Sequence, residues 1–481
     1  MRRENSYEPG ASRPQAGSML SMNVKLEQSG PNEVFTRDGN ARELYRPVLD
    51  ELERMGPEGW EERTGRAHEK LLDEQRDYGI LKGDKTHPTD WFPRLISASG
   101  WEALERGLAQ RMRAINEFLK RLEAGKEEVV PREVIESSGL YDVPVPDRFG
   151  EVPARQMGFD LVAVEEGEGW KYLVIEDNAR MPVGAMSMSR LRTLTPEVFP
   201  DSYAALGVRP LGDLLGRLGE VLRAASPLPD PTLAILSTGP EDQYYLDHNL
   251  FAQETGAILA ERHEVELDGA GYLVHKETGR RIDVIYERIE EGRIYDDLPK
   301  LVEAHLEKRV HAIFAPNVNV VDDKGVYPFI PEMIRTYLGE EPIVENPETW
   351  SLAVEEDRRY VMEHFDELVI KSRSGWGGKD VLIAPEESEE TVQEFRKTVK
   401  ENPVEYIAQR TIDFSTHVLC STEDGELRLR DSYADYRVHT LSSEPDTVEV
   451  VPGAMTRVAG PGSRLVNISS GGVMKDTWVL S

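Results

Sequence analysis

Two apolar runs, residues 159–164 and 172–175, flank the segment Glu165-Glu166-Gly167-Glu168-Gly169. Short runs rich in branched and aromatic residues, separated by a glycine-bearing turn, read as a β-hairpin. This hairpin constrains the chain more than any other stretch, because its second run leads into Glu176-Asp177-Asn178. Side chains alternate along a strand, so Glu176 and Asn178 share one face and Asp177 points to the other. A hairpin symmetric about Gly167 sets Asp160 opposite Glu176 or its neighbour, and directly opposed residues share a face. Asp160, Glu176 and Asn178 would then gather two carboxylates and an amide oxygen, hard ligands suited to Mg²⁺. Without a cation such acids repel each other. The competing reading is a solvated acidic hairpin end.

Composition narrows the partners. The chain has 481 residues, room for two to four domains or subdomains. Its 57 basic and 88 acidic residues leave a net charge of -31, which opposes nonspecific binding to nucleic acid or to anionic membranes. Cys420 is the only cysteine, so no intrachain disulfide or cysteine-based zinc site is expected, and a reducing cytoplasm fits. No apolar run is long enough to span a bilayer, and Arg2-Arg3 lacks the apolar segment of a signal peptide. The expectation is a cytoplasmic protein without nucleic-acid or membrane partners. Oligomeric state is left open.

Residues 1–40, rich in Pro, Gly, Ser, Asn and charge, read as a disordered tail. Residues 41–130 form a helical region, broken near Gly56-Pro57. Its strongest helix is 100–122, with Leu104, Leu108, Met112, Ile115 and Leu119 at helical spacing. Residues 131–226 carry the acidic hairpin. Strand, helix and strand patterns over 232–312 suggest a small α/β domain with an open sheet. Ligands often sit at the carboxyl ends of such strands, which makes the turn at Thr238 a substrate-site candidate beside its plainer reading as a surface turn.

Residues 313–481 hold a second set of chemistry-bearing residues. The strand 368–371 ends in Lys371, Ser372 to Lys379 is a small-residue loop, and a strand follows. A loop between strands is not a Walker A loop, which opens a helix, and Gly-x-Gly-x-x-Gly is absent. Glycines still let backbone N–H groups approach phosphate oxygens, and Lys371, with Lys379 or Arg373 assisting, would supply charge. An ordinary hairpin with scattered charges is the alternative. Residues 406–412 read as an edge strand able to offer backbone groups to adenine, with Gln409 adding an amide. Asp435-Tyr436-Arg437 and Thr456-Arg457 put cations near the following sheet.

In combination these residues resemble the ATP-grasp superfamily, and specifically its circularly permuted members. The usual order is a phosphate-binding lysine and glycine-rich hairpin, an adenine hinge, Asp-x-Arg, a further arginine, then an acid and Glu-x-Asn. Here Lys371, the hairpin with Gly375, Gly377 and Gly378, Gln409, Asp435-x-Arg437 and Arg457 stand in that order. Asp160 and Glu176-x-Asn178 have moved to the first half. The ending Gly471-Gly472-Val473-Met474-Lys475-Asp476-Thr477-Trp478-Val479-Leu480 is similar to that of the permuted proteins. One departure is Pro182-Val183-Gly184-Ala185-Met186, where the family often has Pro-Ser-Gly followed by Ser-Tyr.

The resemblance implies an α/β (α+β) circularly permuted ATP-grasp fold with a small pre-ATP-grasp-like domain at 232–312. It implies ATP and Mg²⁺, and a ligase like glutathionylspermidine synthetase, joining a small-molecule or peptide carboxylate to an amine through an acyl phosphate. Asp160, Glu176 and Asn178 would hold Mg²⁺. Lys324, Lys371, Gly375, Gly377, Gly378, Lys379 and Gln409 would bind ATP, and Arg437, Arg457 or Arg180 would steady the tetrahedral intermediate. A nucleotide-binding protein without ligase activity and a small-molecule phosphotransferase are the alternatives.

Overall fold

The computed structural model describes residues 23–25, 30–77, 87–141, 151–167, 169–289, 300–312, 318–373, 381–460, 462–466 and 471–481. Its centre is a nine-stranded sheet in which both ends of the chain interleave. The neighbour order runs Arg94–Ile96, Val473–Val479, Gly453–Val458, Glu426–Glu444, Gln156–Glu166, Gly169–Asn178. The strand Glu426–Glu444 serves two sets of partners. Its first part pairs with Thr416–Glu423, and its second lies between Gly453–Val458 and the acidic hairpin. Residues 431–442 of this strand are buried without a break, polar ones included, because helices cover both faces of the sheet.

The helix Ala98–Glu123 covers the face that carries Asp177. Ser97 caps it by accepting from the Gly100 N–H, Leu104, Leu108, Met112, Ile115 and Leu119 form its buried stripe, and Lys120 and Arg121 complement the negative end of its dipole. From the same helix Arg111 donates two bonds to Asp177, at 2.6 and 2.7 Å. Burial pushes the Asp177 carboxyl up and Arg111 opposes that. This forked pair holds Asp177 away from the opposite face, and so fixes which side of the hairpin Glu176 and Asn178 occupy.

The helix Ala185–Val198 packs on that opposite face, where Arg192 bonds Asp476 at 2.8 Å. Gly184 precedes it with φ of 109°, and a Cβ there would come within 2.8 Å of the Met455 sulfur. A side chain at this position would therefore be strained and crowded at once.

Two further four-stranded sheets, beside a small antiparallel one of Val265–Leu267, Leu273–His275 and Arg281–Ile282, complete the fold among the described residues. One is parallel, in the order His311–Ala312, Val284–Arg288, Leu233–Ser237, Ile258–Glu261, with the helix Tyr245–Thr255 crossing between its members. The other is antiparallel, in the order Thr349–Ser351, Tyr406–Arg410, Leu368–Ser372, Val381–Ile383. Each has its own buried apolar cluster besides the large central one.

The expectation of a disordered tail fails for residues 30–40. Val34 and Phe35 are fully buried, and Arg94 grips Glu33 with two bonds of 2.7 Å. The backbone of 23–25 pairs with 428–430. Polar composition misled here because the segment draws its burial from a sheet built mainly by residues more than three hundred positions later.

Candidate active site

The site grows from a row of cross-strand partners on one face of the central sheet. Asp160 lies opposite Glu176 on the hairpin and opposite Arg437 on the long strand, while Asp435 lies opposite Arg457. A bulge after Asp160, where Leu161 pairs with Val174, admits one extra residue and keeps Asp160 level with Glu176. Asn178, opposite Gly158, completes the same face. A Cβ on Gly158 would come within 2.9 Å of the Arg437 side chain, so the glycine lets that arginine lie flat across the strand.

Asp160 is 1% exposed and deeply engaged. Arg437 donates to both its oxygens, at 2.5 and 2.8 Å, and Arg457 adds a bond of 2.9 Å. Arg457 also forks onto Asp435 at 2.8 and 2.6 Å. Burial alone would raise Asp160, but the two guanidinium groups outweigh it and hold the carboxyl well below the usual carboxylate range. Asp435, pushed up by burial and by the Asp160 charge against the pull of Arg457, goes the other way.

Two lysines reach this row from the second half of the chain. Lys324 donates to Glu176 Oε1 at 2.8 Å; burial lowers it, but the Glu176 charge prevails and its ammonium is held above its usual value. Lys371 donates to Gln409 Oε1 at 2.8 Å. Burial brings Lys371 down to about 8, with Lys324 reinforcing the shift and Glu176 and Asp160 resisting it. The Lys324–Glu176 contact brings a second-half lysine directly against the first-half acids.

The turn Asp322-Asp323-Lys324-Gly325 holds the two halves in place. Asp322 accepts from the Ala179 and Arg180 N–H groups at 2.7 and 3.0 Å, just past Asn178, and burial lifts its carboxyl to about 6. Asp323 accepts two bonds of 2.8 Å from Arg373, two residues past Lys371. A Cβ on Gly325 would strike the Arg373 guanidinium. The sequence marks 322–325 as similar to the permuted family and gives Lys324 a role, but assigns none to Asp322 or Asp323. Acidic residues preceding a Lys-Gly turn could have suggested a latch.

Two expectations are corrected. The strand Tyr406–Arg410 is not an edge strand: Leu368–Ser372 flanks it on one side and Thr349–Ser351 on the other. Its backbone there is spent on the ladder, and the Gln409 amide is spent on Lys371 and on Thr349 at 3.1 Å. The Gln409 amide thus orients Lys371. Arg373 is likewise no phosphate ligand, being 3% exposed and committed to Asp323 and to the carbonyls of Val134 and Val404. Gly375, Gly377, Gly378 and Lys379 lie outside the described residues. Arg180 is adjacent to the site through its backbone bond to Asp322.

For a divalent cation the donor chemistry fits in part. Glu176 and Asn178 offer hard oxygens on one face, whereas both Asp160 oxygens are already bonded to arginines. Among the described residues no three His, Cys, Asp or Glu side chains converge as a ready-made metal cluster. No helix among them is long and apolar enough to cross a membrane.

A sheet carrying Asp-x-Arg and Glu-x-Asn on one face, met by Lys371 from an antiparallel sheet and Lys324 from the turn 322–325, defines an ATP-grasp fold with its sequence order rotated. The chain belongs to the circularly permuted ATP-grasp type 2 family, whose pattern it matches over residues 93–459. It is 34% identical over 480 residues to the "Putative glutamate--cysteine ligase 2-3" of Frankia alni, covering 95% of this chain and 54% of that protein. It is 32% identical to an uncharacterized protein of Synechocystis, covering 93% of this chain and 96% of that protein. The chain thus spans about half the length of the Frankia relative and nearly all of the Synechocystis one. Among solved structures, a glutathione synthetase-like effector from Globodera pallida shares the fold with a TM-score of 0.57 at 9% identity, covering 86% of this chain and 96% of that one.

Proposed function

We propose that this protein is an ATP-dependent ligase that joins a carboxylate to an amine through an acyl phosphate, releasing ADP and phosphate. The observation that carries the reading is the Lys324–Glu176 contact at 2.8 Å, beside Asp160, Arg437 and Lys371, in a cleft made by distant parts of the chain. The name of the Frankia relative points to amino acids as the acid and amine.

Mg²⁺, when bound, would neutralise charge on the phosphate oxygens; Glu176 and Asn178 would hold it, with Asp160 joining if an oxygen is released by its arginines. The remaining work falls to the chain's own groups. Lys371 and Lys324 place cations against the phosphate oxygens, and Gln409 aims Lys371. As a triphosphate enters, Lys324 exchanges the Glu176 carboxylate for phosphate and so frees Glu176. The acid substrate's carboxylate oxygen then attacks the γ-phosphorus as the bond to the bridging oxygen breaks and ADP leaves, and the amine nitrogen attacks the acyl carbon, gives up a proton and expels phosphate. Arg437 already carries its charge in a dry, fixed orientation, which suits it to steady the tetrahedral oxyanion without reorganisation. Arg457 and Arg180 would support it.

The test is ADP release by the purified protein against paired acid and amine panels that include glutamate with cysteine, followed by mass spectrometry of the product. An amide product with stoichiometric ADP supports the reading. A stable phosphorylated acid in place of an amide, or nucleotide binding with no turnover across the panel, refutes it.

Lys371 gives this site a pH signature. With its ammonium at about 8, the free protein carries the charge below that pH and loses it above. Affinity for Mg·ADP, followed by calorimetry, is expected to fall by about tenfold between pH 7 and 9. Lys371→Arg stays charged throughout and should flatten that profile. A wild-type affinity that does not change over this range would remove Lys371 from the phosphate site.

A further inference from the structure

The parallel sheet ends against the same face of the central sheet that bears Asp160. Its strands Leu233–Ser237 and Val284–Arg288 run side by side with Ser237 paired to Arg288, so their carboxyl ends arrive together. Ligands of open parallel sheets sit at that edge. Tyr286 donates its hydroxyl to Gln156 Oε1 at 2.7 Å and so joins the two sheets. On the central sheet Gln156, Gly158 and Asp160 alternate onto one face, with Leu441, His439 and Arg437 as their partners. The row that carries the site therefore continues to this junction.

Hydrogen-bonding capacity is left unspent here. Arg288 is 5% exposed, and its Nε has no partner. Its Nη1 reaches only the Tyr286 hydroxyl, at 3.5 Å, and no carboxylate among the described residues pairs with it. Gln156 Nε2 and both ring nitrogens of His439 are likewise buried without partners, and both residues are 0% exposed. Leaving such a group unmatched in the interior is costly, and a buried cation without a counter-ion costs more. The Arg288 and Gln156 groups can only donate, and one imidazole nitrogen donates as well. The missing partner is therefore an acceptor bearing negative charge. Burial, with Arg437 adding to it, lowers His439 to about 3, so the imidazole is neutral and Arg288 supplies the cluster's cationic charge.

We propose that Gln156, Arg288 and His439 form a carboxylate-binding subsite that anchors the acid substrate by a second carboxylate, leaving its reacting carboxylate toward Arg437. The proposal rests on the ligase reading for its purpose but not for its test. Glutarate, a dicarboxylate, and butyrate, its monocarboxylate counterpart, are titrated calorimetrically into the wild-type protein, Arg288→Met and Arg288→Lys.

The wild type is expected to bind glutarate at least tenfold more tightly than butyrate. Arg288→Met should lose that preference, and Arg288→Lys should keep part of it. Mg·ADP affinity should be unchanged in both variants, which also shows that they are folded. Equal affinity of the wild type for the two acids overturns the proposal, as does glutarate binding indifferent to Arg288→Met. A wild type that binds Mg·ADP but not glutarate overturns the subsite while leaving the ligase reading intact. Arg288-dependent glutarate binding without ATP turnover across the acid–amine panel supports the subsite and counts against the ligase reading.

Discussion

Glu176→Ala is expected to lower ATP turnover by at least about a hundredfold, the scale seen when one preorganised electrostatic partner is removed from a reacting phosphoryl or acyl group. The reason lies in the position of Glu176. It stands opposite Asp160 and on the face shared with Asn178, and it is the carboxylate that Lys324 contacts. Asp160 does not stand in for it while both Asp160 oxygens are bonded to arginines. The side chain of Glu176 is 31% exposed, so its removal should change the denaturation midpoint little. Two measurements check this. One is ADP release with the acid–amine pair identified by the panel. The other is the Mg²⁺ dependence of ADP binding, which needs no second substrate and should disappear in the variant. Turnover at the wild-type rate would end the metal assignment. Asn178→Ala should act in the same direction.

Arg373→Met is expected to destabilise the folded protein by about 3–5 kcal/mol, because it strands the Asp323 carboxylate in the interior. Asp323 and Arg373 side chains are 4% and 3% exposed, and they share two bonds of 2.8 Å. Arg373 also bonds Ser137 and the Val134 and Val404 carbonyls at 2.8, 2.7 and 3.0 Å, so the loss extends beyond one pair. Urea unfolding measures the cost. Arg373→Lys should recover little, since a single ammonium cannot replace a planar fork. Adding Asp323→Asn to Arg373→Met should recover part of the loss, because it removes the stranded charge. A change below about 1 kcal/mol would mean that the latch does not hold the two lysines in place. The functional consequence follows from spacing: Lys324 is next to Asp323, and Lys371 lies two residues before Arg373, so a loosened latch should weaken nucleotide binding as well.

These outcomes bear differently on what could be read from residues alone. Strand alternation was sufficient to place Glu176 and Asn178 together and Asp177 apart, and the Arg111–Asp177 fork is its physical counterpart. The stripe on residues 100–122 was sufficient for a helix packed on a sheet. The strand at 406–410 was misread as an edge because edge and interior strands look alike in sequence; only the partner Thr349–Ser351 decides between them.

The sequence by itself determined local matters: which residues form strands and helices, which side chains share a face, and the rotated order of the ATP-grasp motifs. Those follow from periodicity and turn chemistry within a few residues. Tertiary structure alone decided that two arginines engage Asp160, that Asp322 and Asp323 tie one half to the other, that residues 31–35 are buried, and that Arg288 is buried without a counter-charge among the described residues. Each of these depends on contacts between residues far apart in the chain, and burial then makes the resulting charges strong enough to matter.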